Sequence, residues 1–467
     1  MSAETTTGTE SGNNLGVGLK TRHLTMMGLG SAIGAGLFLG TGVGIKAAGP
    51  AVLVAYVIAG FLVVCVMQML GEMAAADPDS GSFSQYAEKA FGHWAGFTLG
   101  WMYWFMLIMV MGVEMTGAAA FIHGWLGWAP WIPALICVVF FTIVNLAAVG
   151  GFGEFEFWFA FVKVAVITIF LVVGVLLVFG LLPGHEAVGF SHIRESGFAP
   201  NGIRGIAAGL LAVAFAFGGI EIVTIAAAES NNPRHAIKVA VRSVLWRISL
   251  FYLGSVILIC LLLPFSTMGK ASSAADSPFT IILGMANIPG IVGIMEAVIV
   301  IALLSAFNAQ LYGTSRFAHS LALRGDAPHF IRKTNKQGVP INSVLVSLFF
   351  AFVSVGLQYW NPAGLLTFLM NAVGGCLLVI WAMITASQIK LRKHYEAAGP
   401  LTVKMWGYPW LPWITLIGII GLAALMISDP GSRDQVIAVV VLTVILLVLS
   451  FITKIFKDKK KAAALGS

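Results

Sequence analysis

Apolar residues in this chain are grouped into long runs that carry few charges, and short polar stretches separate the runs. An α-helix needs about 20 such residues to cross the hydrocarbon core of a bilayer. The pattern therefore predicts an all-α polytopic membrane protein with about twelve transmembrane helices. The predicted spans one to twelve cover residues 24–46, 50–76, 95–123, 132–149, 157–182, 204–228, 243–265, 291–318, 343–360, 363–389, 411–428 and 434–454.

Two of these spans carry glycine at their centres. Gly and Ser are concentrated between Gly28 and Gly40 in span one, and Gly218 with Gly219 interrupts span six. Glycine is a poor helix former, and irregular backbone at membrane depth is tolerated only where it is buried in protein or lines a polar cavity. Two interrupted spans in corresponding halves of a chain indicate a transporter binding site. The alternative is that these glycines only allow close helix packing.

A break in span one has a chemical consequence. The first N–H groups of the half-helix after the break have no partner within the helix, and they carry partial positive charge. Such an end favours an anion. The sequence therefore predicts that a carboxylate binds near the middle of span one.

The composition supports a membrane protein. The chain has 467 residues, of which 58% are hydrophobic and 10% are charged, whereas about 25% of the residues of a soluble protein are charged. The four cysteines lie in apolar runs without metal-like spacing, and the nine histidines form no zinc motif. We also find no phosphate loop and no nucleophile–base arrangement. The sequence thus predicts neither an enzyme nor a metal or cofactor site.

The net charge of +7 is unevenly distributed along the chain. With the N-terminus inside, the loops around 234–247, 316–336 and 390–404 are cytoplasmic and hold most of the loop Lys and Arg, as the positive-inside rule requires. Both termini are then cytoplasmic, as a polar tail at 1–23 and a basic tail at 455–467. The positive charge is a match to anionic lipid, and we expect no nucleic-acid partner.

Three ionisable residues inside the spans are candidates for function, because charges at bilayer depth are costly. Glu221 follows the glycine pair of span six, where it either shuttles a proton or makes a structural hydrogen bond that fixes the broken helix. Lys163 lies about six residues into span five. It either extends to the cytoplasmic interface or reaches the break of span one and carries a proton. Glu114 is mid-span in span three and is expected to face the bundle.

Spans three and eight offer side chains that could line a pocket. Met106 and Val110 lie in a Met-rich part of span three and either line an apolar pocket or pack against lipid and core. Ser305, Asn308 and Gln310 give span eight a polar face. Asn308 either reaches the site or bonds a neighbouring helix.

Short motifs along almost the whole chain carry a resemblance to a known family. They include Ala48-Gly-Pro50, Leu70-Gly-Glu-Met73, Phe152-Gly-Glu-Phe-Glu-Phe-Trp-Phe-Ala160, Phe217-Gly-Gly-Ile-Glu221, Gly325-Asp-Ala-Pro328 and Gly338-Val-Pro-Ile-Asn342, after the opening stretch 18–40. With these motifs the chain resembles the bacterial amino acid permeases of the amino acid–polyamine–organocation superfamily. Within that family it most resembles the aromatic amino acid permeases of corynebacterial type.

The resemblance implies a LeuT-type fold of five plus five inverted spans, followed by two more. The first repeat would cover 24–182 (spans one to five), the second 183–389 (spans six to ten), and spans eleven and twelve would lie within 390–454. It also implies uptake of an amino acid together with protons, without sodium, by alternating access around the two broken helices.

The resemblance further assigns residues to the site. The substrate carboxylate would meet the backbone N–H groups of Ala35 and Gly36, and Lys163 would replace the sodium ion of sodium-coupled relatives. Phe215 would stand over the ligand as an aromatic gate. The other positions implied are Ser31 and Ala32 beside the carboxylate, and the carbonyls near Phe215, Phe217 and Gly218 around the substrate ammonium.

Phe215 and the methionines of span three suit an apolar or aromatic substrate side chain, because Met makes favourable contacts with rings. The main hypothesis is therefore a proton-coupled importer of Phe, Tyr and Trp in the bacterial plasma membrane. Alternatives are a permease or exchanger for other neutral amino acids and, from a different class, a membrane receptor that binds amino acids without transporting them. The sequence does not fix the oligomeric state, and a monomer is compatible with it.

Overall fold

The computed structural model describes residues 33–77, 82–147, 152–219, 221, 233–269, 277–335, 340–360, 362, 364–428 and 430–465, and the regular elements in these ranges are all helical. In chain order the α-helices are α1 (Thr41–Ala48), α2 (Val52–Ala76), α3 (Ser82–Phe91), α4 (His93–Leu126), α5 (Trp131–Ala147), α6 (Phe152–Val178), α7 (Ser191–Ser196), α8 (Gly202–Ala216), α9 (Pro233–Trp246), α10 (Gly254–Leu262), α11 (Phe265–Gly269), α12 (Pro278–Met285), α13 (Ile291–Leu323), α14 (Ile341–Trp360), α15 (Leu365–Ala398), α16 (Trp410–Ser428) and α17 (Pro430–Leu465).

The helices confirm the predicted all-α, multi-pass class. In the part of the chain that the structure describes, eight helical segments are long and apolar enough to cross a membrane, and three shorter apolar helices accompany them. One of the eight, Gly36–Ala76, contains two helices that are separated by a 3-10 turn at Gly49–Ala51. The count of twelve spans and the division into two inverted repeats stay predictions.

The bundle is organised around α4. This helix forms its largest interface with α13 and also packs on α15, α3 and α17. Most of its side chains from Ala95 to Phe121 are buried. In contrast, α16 and α17 expose large apolar side chains such as Trp410 and Val448, as is typical of helices that face lipid. The core of the molecule therefore lies along α4 and α13.

Span one begins its regular structure close to the predicted break. Ile33 and Gly34 are not helical, and a π-helix at Gly36–Gly40 leads directly into α1. A π-helix leaves some backbone groups without their usual partners, and Ser277 donates one hydrogen bond to the carbonyl of Phe38 (3.0 Å). The half of span one before Ile33 lies outside the described residues.

Span six is interrupted at its predicted glycines. Helix α8 ends at Ala216 and is followed by a turn over Phe217, Gly218 and Gly219. Gly219 has a φ of +83°, which side chains with a Cβ adopt only at a cost. Glycine is therefore required here by the conformation of the turn.

Candidate functional site

A cavity lies where the two interrupted spans meet. About 310 Å³ of space that no atom occupies lies there, and part of this space is open to the surroundings. Its lining comes from both breaks and from two long helices, α4 and α13. The lining residues are Gly34, Gly36, Val110, Glu114, Phe215, Ala216, Gly218 and Gln310.

Two glycines allow the elements around the cavity to approach one another. A Cβ atom added to Gly36 would lie 2.7 Å from the Cα atom and 3.0 Å from the carbonyl oxygen of Ala216. A Cβ added to Gly34 would lie 2.7 Å from Oε1 of Glu114. At Gly36 the neighbouring atoms are backbone, so only glycine fits while the two broken spans stay this close. At Gly34 the nearest atom is the end of the Glu114 side chain, which would have to shift.

The N–H group of Ala35 is bound by a carboxylate. It donates to both side-chain oxygens of Glu114, at 3.2 Å and 3.1 Å, and the Glu114 side chain is buried on α4. The carboxyl group thus lies at the start of the half-helix, where the backbone dipoles favour a negative charge. In this structure a carboxyl group of the protein itself lies at the predicted place in span one, and binding of a substrate carboxylate there stays a prediction.

Lys163 lies inside the bundle. Its side chain on α6 is fully buried, and it interacts electrostatically with Glu114. The alternative that Lys163 extends to the cytoplasmic interface is therefore wrong, because its ammonium is shielded by neighbouring helices. The predicted contact of Lys163 with the break of span one involves backbone that lies partly outside the described residues, and it stays a prediction.

Glu221 connects the break of span six to α15. Its Oε1 accepts a hydrogen bond of 2.9 Å from the indole Nε1 of Trp381, and its side chain is buried. It also interacts electrostatically with Tyr103 of α4. The structural hydrogen bond considered for Glu221 is present, and its role in proton transfer stays a prediction.

The apolar wall of the cavity is formed by some of the predicted residues. Val110 and Phe215 belong to the lining, but Met106, although fully buried on α4, does not. Phe217 is also absent from the lining, because its ring packs on Tyr252 with 5.2 Å between the centroids. Only the backbone of Phe217 is in a position to contribute to the site.

On α13 the cavity is lined by a different residue from the one predicted. Asn308 accepts a hydrogen bond of 2.8 Å from Asn145 of α5, so it joins two helices and does not line the cavity. Gln310 lines it instead. Residues two apart on a helix point in directions that differ by roughly 200°. The polar face of span eight was recognisable in the sequence, but its rotation toward the cavity was not.

The remaining predicted positions are only partly described. Ser31 and Ala32 lie outside the described residues. The carbonyl of Phe215 accepts a hydrogen bond of 2.9 Å from the N–H of Gly218, which leaves this oxygen one further lone pair. Across the described part of the chain, no group of three His, Cys, Asp or Glu side chains could hold a metal ion.

The family of the chain follows from comparison with known proteins. A model of the family described as "Amino acid permease" matches residues 23–465, which is nearly the whole chain. This chain belongs to the amino acid permease family. The membership confirms the resemblance inferred from the sequence motifs and makes an amino acid the class of substrate.

Individual relatives match over almost their full length. The aromatic amino acid transport protein AroP of Corynebacterium glutamicum is 68% identical over 446 residues, which cover 95% of this chain and 96% of that protein. The gamma-aminobutyric acid permease of Bacillus subtilis is 41% identical over 96% of this chain and 95% of its own. The AroP protein of Escherichia coli K12 is 35% identical over 98% of both chains.

Proposed function

We propose that this permease imports the aromatic amino acids Phe, Tyr and Trp by proton symport across the bacterial plasma membrane. The observation that carries the proposal is the cavity between the two broken spans, which combines an anion-binding N–H group with an apolar wall of Val110 and Phe215. A zwitterion with an apolar side chain fits such a surface. Two of the three relatives above carry names for aromatic amino acid transport.

The charged ends of the substrate would be held by backbone. The carboxylate would bind the N–H groups of Ala35 and Gly36, with Ser31 and Ala32 beside it, and the ammonium would bind free carbonyl lone pairs around Phe215 and Gly218. Backbone groups suit this task, because every amino acid carries the same head group. The side chains that line the cavity would then determine which amino acids are selected.

The position of Glu114 would couple the binding of the substrate to the binding of a proton. Its carboxylate occupies the N–H of Ala35, so an arriving substrate carboxylate either displaces it or lies directly beside it. Two like charges a few ångströms apart in a medium of low dielectric constant repel strongly. A proton that enters with the substrate and binds Glu114 removes the repulsion, and Lys163 and Glu221 are further candidates for carrying that proton.

The proposal also includes the orientation of the chain in the membrane and the way the two broken spans move. Both termini would lie in the cytoplasm, as the distribution of Lys and Arg predicts, and the two broken spans would open alternately to each side of the membrane. The protein would act as a transporter and not as an enzyme. The GABA permease relatives favour a second candidate, a carrier of other amino acids on the same scaffold.

Transport in sealed proteoliposomes tests the proposal. Labelled phenylalanine is offered with an inward proton gradient, and each of the twenty amino acids is added as competitor. We expect accumulation that is lost when the gradient is collapsed and that Phe, Tyr and Trp inhibit most. Competition mainly by small amino acids would support the second candidate. Binding without accumulation would indicate a receptor, and accumulation that needs internal substrate but no gradient would indicate an exchanger.

A further inference from the structure

Among the described residues that line the cavity, Gln310 and Glu114 are the two with polar side chains. Its side chain on α13 is 5% exposed, and its carbonyl oxygen Oε1 has no hydrogen-bond partner among the described residues. A buried carbonyl oxygen without a partner loses free energy that a suitable donor would restore. The cavity therefore contains an acceptor that is ready for a hydrogen bond from a ligand.

The location of Gln310 separates it from the proposed binding place of the substrate carboxylate. Ala306, one helical turn earlier on α13, is adjacent to Gly34, since a Cβ on Gly34 would lie 3.2 Å from the Cβ of Ala306. Gln310 is about 6 Å further along the helix axis. Its amide nitrogen lies toward Gly219, where an added Cβ would be 3.8 Å away. The carboxamide thus faces the part of the cavity beside the break of span six.

The rest of that wall is apolar. Val110 and Phe215 contribute hydrocarbon and an aromatic ring, and neither side chain can accept a hydrogen bond. A ligand side chain that complements both the apolar residues and the Gln310 carbonyl oxygen is mostly apolar and has one hydrogen-bond donor at its periphery. The tyrosine hydroxyl and the indole N–H of tryptophan have this character, and both groups find a partner when they are buried. Phenylalanine has no such donor.

We propose that Gln310 determines specificity by accepting, at Oε1, a hydrogen bond from the side chain of tyrosine or tryptophan. The inference rests on the proposed function, because it assumes that aromatic amino acids enter this cavity. It assigns a role to a residue on α13 that the binding of the substrate carboxylate does not require. Its consequence is that the protein discriminates among aromatic substrates by a polar contact as well as by shape.

The test replaces Gln310 with methionine, which has a similar length and no carboxamide. Uptake of labelled phenylalanine into proteoliposomes is measured with tyrosine, tryptophan and unlabelled phenylalanine as competitors. Inhibition by each competitor is compared with inhibition by unlabelled phenylalanine in the same variant, so the result does not depend on the absolute rate of uptake by Gln310→Met. Inhibition by tyrosine and tryptophan should weaken about fivefold to tenfold relative to phenylalanine, as expected for one lost hydrogen bond.

Two modified amino acids make the test independent of the variant's stability. O-methyltyrosine and 1-methyltryptophan keep the ring but have no donor. In the original protein they should compete less well than tyrosine and tryptophan, and in Gln310→Met this difference should shrink. Gln358 of α14 is the matched control, since it is a buried amide that donates to Thr116 at 2.6 Å and does not line the cavity. Gln358→Met should leave the ratios among competitors unchanged.

Several results would overturn the assignment of Gln310. One is an unchanged tyrosine-to-phenylalanine ratio in Gln310→Met, and another is equal weakening for all three amino acids, which would place Oε1 at the substrate amino group. Equal competition by each methylated compound and its parent in the original protein would also contradict it. Failure of the proposed function is a separate observation, since the original protein would then show no uptake that aromatic amino acids inhibit.

Discussion

Glu72 and Glu114 are two buried glutamates on long apolar helices, and their surroundings differ. Glu72 of α2 forms an ion pair with Arg392 of α15. It also accepts hydrogen bonds from Gln388 Nε2 (2.8 Å) and from the N–H of Met405 (2.6 Å). Glu114 binds the N–H of a half-helix and borders a cavity.

The difference separates a structural charge, at Glu72, from one that we propose to be functional, at Glu114. The carboxylate of Glu72 is surrounded by a cation and neutral donors that come from α15 and from the loop after it, so its charge stabilises the packing of α2 against them. Glu114 faces empty space, and a ligand with its own carboxylate would compete for the same N–H group. Position in an apolar run is common to both residues, and only the partners separate their roles.

The largest effect is expected from breaking the pair of Glu72. Arg392→Met leaves a buried carboxylate without its cation, which should reduce the free energy of unfolding by about 3–5 kcal/mol. Thermal denaturation in detergent and the amount of folded protein in the membrane measure this loss. Glu396→Gln is the matched control, because Glu396 is a half-exposed partner of the same arginine, and it should cost less than about 1 kcal/mol. Equal stability of both variants would contradict the structural role of Glu72.

Lys163→Ala tests whether Lys163 couples the transport of phenylalanine to the proton gradient or only supports the folded structure. Lys163 is as buried as Glu72, but it interacts with Glu114 near the cavity. We expect accumulation of phenylalanine driven by a proton gradient to be abolished, while some substrate binding remains. Gradient-driven uptake and equilibrium binding are measured on the same preparation. If the variant still concentrates its substrate in response to pH, Lys163 has no role in proton coupling.

Gly36→Ala tests the contact between the two broken spans. The added methyl group would meet the backbone of Ala216 at 2.7 Å, and backbone yields less readily than a side chain. Overpacking of this kind costs about 1–3 kcal/mol, so uptake should fall about tenfold. Gly124→Ala on α4 is the control, since nothing lies within 4 Å of its added Cβ. If Gly36→Ala binds and takes up phenylalanine normally, the substrate site does not lie at the contact between the two broken spans.

The smallest effect on stability is expected for Glu114→Gln. The side-chain carbonyl of glutamine can still accept the hydrogen bond of Ala35, so the free energy of unfolding should change by less than about 1 kcal/mol. Uptake, however, should lose much of its dependence on the proton gradient, because the charge that needs the proton is gone. Stability and gradient dependence are compared with those of Glu72→Gln. That variant should lose free energy of unfolding and keep the dependence of its uptake on the proton gradient. A Glu114→Gln variant with normal gradient dependence would exclude Glu114 from coupling.

Much of the fold could be predicted because its signals are local. The length of apolar runs defines helices that cross a membrane, and glycine pairs mark where such helices end, as at Gly218 and Gly219. The family could be recognised from motifs of a few residues. Apolar runs, glycine pairs and short motifs each consist of residues that are close together in the sequence, so they can be recognised without knowledge of the fold.

The site was less accessible to prediction, because its contacts join distant parts of the chain. Ala35 and Glu114 are 79 residues apart, and nothing in either segment indicates that they bind each other. Gln310 and Asn308 lie on the same polar stretch of α13, and the rotation of that helix in the bundle decides which of them faces the cavity. Such rotations are set by packing against several helices at once.

A cryo-electron microscopy map of the protein with saturating tyrosine tests the substrate site most directly. We expect ligand density in the cavity between Gly36, Val110 and Phe215, with the substrate carboxylate at the N–H of Ala35 and Glu114 moved away from it or protonated beside it. An ordered tyrosine at another place, with Glu114 still bound to Ala35, would contradict the assignment of this cavity as the substrate site.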